Sequence, residues 1–117
     1  MLELSKQVDE DTGVVILTLA GRFDVNSIPA FQDAYAEHPP GTQFKIYLEK
    51  VTYIDSAAFG LFHALKQHLG SQGRVMLFNP SENVTQTLQM LGAHRTFEVI
   101  RITTSKPFMD NMDEGGF

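Results

Sequence analysis

Tyr53-Ile54-Asp55-Ser56-Ala57-Ala58-Phe59-Gly60 is the stretch whose reading decides the fold. Upstream of it, Phe44, Ile46 and Leu48 alternate with Lys45, Tyr47 and Glu49 and lead through Val51 into Ile54, a period of two that predicts a strand. Downstream, Ala58, Leu61, Phe62, Leu65 and Leu69 recur at helical spacing, with Lys66 and Gln67 on the other side and Gly70 available as a C-terminal cap. The helix is therefore expected from Ala57 to Leu69. The period changes at Asp55-Ser56, where a strand's C-terminal end meets a helix's N-terminus. Open α/β sheets place their functional groups at that edge.

Working outward, Val14 to Ala20 is a β-branched run ended by Gly21 and predicts a buried strand. Leu2 to Val8 alternates weakly and precedes Asp11-Thr12-Gly13, a turn signal, so the two segments form an antiparallel hairpin. Asn26 or Ser27 can cap a first helix with Pro29 in its early turn and Ile28, Phe31, Ala34 and Tyr35 on one face. After Gly73, Val75 to Phe78 is a short buried strand. Asn79-Pro80-Ser81 opens a third helix carrying Val84, Leu88 and Leu91, and Phe97 to Ile102 forms a closing strand. Strands alternating with helices at this spacing give an α/β fold: a mixed four- to five-stranded sheet with an antiparallel first hairpin and helices packed on it. One domain is expected over 1–103. Residues 104–117, with acidic residues, a proline and two glycines but little periodicity, are expected to form a mobile acidic tail.

Composition removes several classes of function. A formal net charge of −5 with scattered Lys and Arg offers no basic face to nucleic acid. The chain has no cysteine, so disulfides, thiolate ligands and a cysteine nucleophile are excluded. No apolar run approaches the ~20 residues needed to cross a bilayer, and Met1 to Glu10 lacks the pattern of a secretion signal, so a cytoplasmic location without membrane insertion is expected. His38, His63, His68 and His94 are too scattered for a metal site. No phosphate loop or nucleophile elbow appears, so neither a cofactor nor an enzymatic activity is expected. Arg74, Arg95 and Arg101 read as solvated charges.

Ser56 falls at or just before the first helical turn, where unpaired N–H groups and the helix dipole favour negative charge, so a phosphate there would be held. The small Ala57 and Ala58 leave the surface beside it open, and Phe59 is an added contact candidate at the rim. The residues themselves leave a second role open: Ser56 or Asp55 simply caps the helix. Asp24 follows one strand as Asp55 follows another and belongs to the same rim, either as a partner contact or as an early helix cap.

These segments resemble STAS domains of the anti-sigma-factor-antagonist type, whose signature is a strand leading into Asp-Ser-(Ser/Thr)-Gly-Leu-Gly and then an apolar helix. Asp55, Ser56 and Gly60 match it; Ala57 stands for the second hydroxyl and Ala58 for a glycine. Gly21-Arg22-Phe23-Asp24 looks like the family's Gly-x-(Leu/Phe)-Asp, and Leu91-Gly92 followed by Phe97 looks like its closing segment. The resemblance implies a STAS-like fold and a protein-binding switch. Unphosphorylated Ser56 would permit binding to an anti-sigma factor or serine kinase, phosphorylation would release it, and a serine phosphatase would restore binding. The partner surface so implied comprises Asp24, Asp55, Ser56, Ala57, Ala58, Phe59 and Gly60. The same resemblance also suits a STAS subunit of a bacterial phospholipid-type ABC transport complex, docked on its ATPase without phosphorylation. The sequence carries no marker of oligomeric state.

Overall fold

The computed structural model describes residues 1–102; the expected tail at 104–117 lies outside the described residues. Strands β1 (Leu2–Val8) and β2 (Val15–Phe23) form the expected antiparallel hairpin, with Leu4 opposite Leu19 and Val8 opposite Val15. A short 3₁₀ turn (Val25–Ser27) leads into α1 (Ile28–Tyr35), followed by β3 (Gln43–Ile54), α2 (Ser56–Leu69), β4 (Arg74–Phe78), α3 (Glu82–Met90), a second 3₁₀ turn (Ala93–Arg95) and β5 (Glu98–Ile100). The sheet has five strands in the order β1-β2-β3-β4-β5, parallel from β2 onward. The α/β class and mixed sheet expected from the sequence are borne out.

Three successive parallel crossovers that each step to the next strand in one direction are all right-handed only if their helices lie on one face. The core agrees. Val15, Leu17 and Leu19 of β2, Phe44, Ile46 and Leu48 of β3, and Val75 and Leu77 of β4 join Phe31, Phe62, Leu65, Val84 and Leu88 from the helices in one buried cluster. Phe23 packs between Phe31 and Phe62, with ring centroids 5.3 Å from each.

Two local expectations change. The first helix is not entered through a cap at Asn26 or Ser27. Asp24 caps the 3₁₀ turn and accepts from the Asn26 N–H (3.0 Å), while Ser27 gives α1 no side-chain cap bond. β2 also runs three residues beyond Ala20 to Phe23, because Gly21 adopts φ +90°, and a Cβ there would run into the Met1 carbonyl oxygen.

The C-terminal half of β3 outreaches β4. Gln43–Tyr47 pair with β4, whereas Lys50–Ile54 pair only with Ala20–Phe23 of β2, across two irregularities in register. Beyond Gly21, where β1 stops pairing with β2, the last residues of β2 (Arg22 and Phe23) and β3 (Tyr53 and Ile54) therefore rise as a two-stranded rim carrying Asp24 and Asp55. The arginines are less isolated than expected. Arg74 makes a bidentate pair with Glu98, and Arg101 bonds the Pro80 carbonyl and Thr85, although such exposed pairs add little stability.

Candidate partner-binding site

Phe23 and Ile54 are register partners, so the residues that follow them, Asp24 and Asp55, stand side by side at the ends of neighbouring parallel strands. The sequence placed both on one rim, and the register brings them together. Asp55 is extended (φ −118°, ψ 178°), and its Oδ1 accepts the Ala58 N–H at 2.8 Å, which starts α2 at Ser56, one residue earlier than the spacing suggested. The capping role is therefore Asp55's. The hydroxyl of Ser56 is exposed and makes no side-chain hydrogen bond among the described residues.

The neighbours of Ser56 sort differently from expectation. Ala57 and Gly60 are exposed, but Ala58 is 0% exposed and Phe59 only 6%. Phe59 points into the core, edge-on to Phe62, His63 and Phe97 at 6.3, 4.9 and 5.9 Å. The proposed contacts through Ala58 and Phe59 are thus corrected: both side chains face inward because they occupy the helix stripe that meets the sheet and Phe97. The exposed side chains at the strand-end side of the rim are ones that no single segment groups. Arg22 lies with its guanidinium 4.0 Å over the Tyr53 ring, and its Nε is 3.5 Å from Asp24 Oδ2. Tyr53 is 37% exposed and Val25 56% exposed. Their juxtaposition depends on the pairing of Arg22 with Tyr53 across β2 and β3, which no single segment displays.

The opposite end of the sheet is tied differently. Lys6 Nζ donates to the Ala34 carbonyl (3.1 Å) and to Glu37 (2.8 Å) and lies 3.1 Å from His38 Nε2, while His68 Nε2 is 2.7 Å from the His38 carbonyl oxygen. Burial and then the Lys6 ammonium hold His38 below the ordinary histidine value, and the bond from Lys6 holds the Glu37 carboxyl below the usual carboxylate range. Among the described residues no three His, Asp or Glu side chains gather as a metal-ligand set, and no helix is long and apolar enough to cross a membrane.

An α/β domain wound in one direction, with two acid-capped helix starts on its raised strand ends, is the class that fold and rim define. The family model of the STAS domain matches residues 5–110, and the chain belongs to that family. A STAS-domain containing protein of Pseudomonas aeruginosa (strain UCBPP-PA14) is 28% identical over 85 residues, covering 71% of this chain and 84% of its own length. Among solved structures, the anti-sigma factor antagonist SpoIIAA in its unphosphorylated form superposes with a TM-score of 0.65 at 19% identity, covering 88% of this chain and 90% of that one. An anti-sigma factor antagonist from Mycobacterium paratuberculosis gives 0.68 at 19% identity, covering 89% and 88%. The likeness to these structures is one of fold.

Proposed function

We propose that this STAS domain is a cytoplasmic protein-binding switch, held by an anti-sigma factor or serine kinase while Ser56 is unmodified and released when Ser56 is phosphorylated. A serine phosphatase resets it. The observation that carries the reading is the state of the Ser56 hydroxyl: exposed, free of a hydrogen-bond partner among the described residues, and first in a helix of 14 residues whose cap Asp55 already supplies. A kinase can reach such a hydroxyl without dismantling the helix start.

Electrostatics supplies the release. The unmodified rim holds the carboxylate of Asp24 against the guanidinium of Arg22 and that of Asp55 on the Ala58 N–H at the start of α2. A phosphate adds about −1.5 to −2 charges beside them, partly favoured by the helix N-terminus but repelled by both carboxylates and by any acidic partner group. Phosphorylation thus inverts the welcome of the surface while leaving the fold intact. The partner surface on this reading comprises Arg22, Asp24, Val25, Tyr53, Ser56, Ala57 and Gly60.

The test is capture from the native lysate on wild-type, Ser56→Ala and Ser56→Asp baits, with mass spectrometry of the preys and of Ser56. A kinase or anti-sigma factor held by wild type and Ser56→Ala, bound at least about tenfold more weakly by Ser56→Asp (about 1.4 kcal/mol), with phosphate on native Ser56, is the expected outcome. An ATPase held equally by all three baits replaces the switch with docking in a transport complex.

A further inference from the structure

The face of the sheet opposite the described helices is not a polar surface. By register, one row across it runs Ile16, Lys45, Met76 and Glu98, and the next runs Thr18, Tyr47, Phe78 and Ile100. Tyr47 and Phe78 stack with centroids 4.8 Å apart and planes at 21°. Met76 and Phe78 are each only 5% exposed, yet neither belongs to the inner cluster and no described helix lies on their side. Lys45 stands between Ile16 and Met76 and has no ion-pair partner among the described residues.

The chain leaves β5 beside this face and continues from Ile102 for 15 residues that include Phe108, Met109, Met112 and Phe117 together with Asp110, Asp113 and Glu114. From β5 to β2 is three strand spacings, about 14 Å, whereas six extended residues reach about 20 Å. Length, point of departure, apolar content and a charge opposite to that of Lys45 all suit one occupant. We propose that residues 103–117 dock across this face, opposite the described helices, with Phe108, Met109 and Met112 over Tyr47, Met76 and Phe78 and the acidic side chains toward Lys45. The segment then acts as an intramolecular cover of the second face, independent of the Ser56 rim.

The absence of native cysteine allows a single nitroxide on Gly115→Cys in the full chain. Docking predicts paramagnetic broadening of the Ile16, Tyr47, Met76 and Phe78 amides, with the outward residues of α1 and α2, such as Gln32 and Gln67, unaffected. Adding Phe108→Ser and Met112→Ser abolishes that broadening. Mixing spin-labelled unenriched chain with ¹⁵N-enriched unlabelled chain gives none. Absence of broadening on this face, its persistence in the serine variant, or its appearance in the mixed sample, which would make a second copy the occupant, overturns the proposal.

Discussion

Asp24 and Asp55 do the same job at adjacent strand ends, yet the serines that follow them meet opposite fates. After Asp24, Ser27 is 3% exposed: its Oγ accepts from the Asp24 N–H (3.1 Å) and donates to the Arg22 carbonyl (3.3 Å). After Asp55, the cap bond goes straight to the Ala58 N–H and Ser56 is left outside. A serine beside an acid-capped helix is therefore structural or available according to whether the turn consumes its hydroxyl. At Asp24 the 3₁₀ turn folds the serine back under the strand end; at Asp55 the α-helix starts at once and points it outward.

The largest expected difference lies between the two serines. Ser27→Ala leaves a partly buried Asp24 N–H without its acceptor and should cost about 1–3 kcal/mol in urea unfolding, while Ser56→Ala should stay within about 0.5 kcal/mol. Equal costs for both would break the distinction and make Ser56 a structural residue as well.

The caps come next. Asp24→Ala and Asp55→Ala should each cost about 1 kcal/mol. A double-mutant cycle sharpens the contrast: Asp24 with Ser27 should couple by more than about 0.5 kcal/mol, because both hold one turn, and Asp55 with Ser56 should add within about 0.3 kcal/mol. Coupling at the second pair would mean that the Ser56 hydroxyl serves the helix start in solution.

How much of this the sequence displayed follows from how local each signal is. The strand ending at Ile54 and the helix through Leu69 are legible because their periods are carried by consecutive residues. The shared rim of Asp24 and Asp55 is legible because each ends a strand. The fate of Ser27 is not, since it turns on a single 3₁₀ turn placed before α1. The inward turn of Phe59 depends on Phe97, 38 positions along the chain and beyond β4 and α3. The stacking of Arg22 on Tyr53 depends on a register that contains two irregularities. Periodicity specifies which face of an element is apolar; it does not specify which distant element completes that face.

Gly60 gives a modest gain in stability, below the cost of losing a cap, and the cleanest reading of the rim. It lies in α2 without a positive φ, and a Cβ added there meets nothing within 4 Å. Gly60→Ala removes the entropic disadvantage of a helical glycine and should raise stability by about 0.5–1 kcal/mol. The fold therefore has no need of glycine at this position, and what a methyl group can disturb is the approach of another surface to Ser56 and Ala57. On the proposed function, Gly60→Ala should unfold at higher urea and yet hold the captured partner less tightly, a combination that a purely structural role cannot produce. Undiminished capture with raised stability would remove Gly60 from the contact surface and confine that surface to the strand-end side of Ser56.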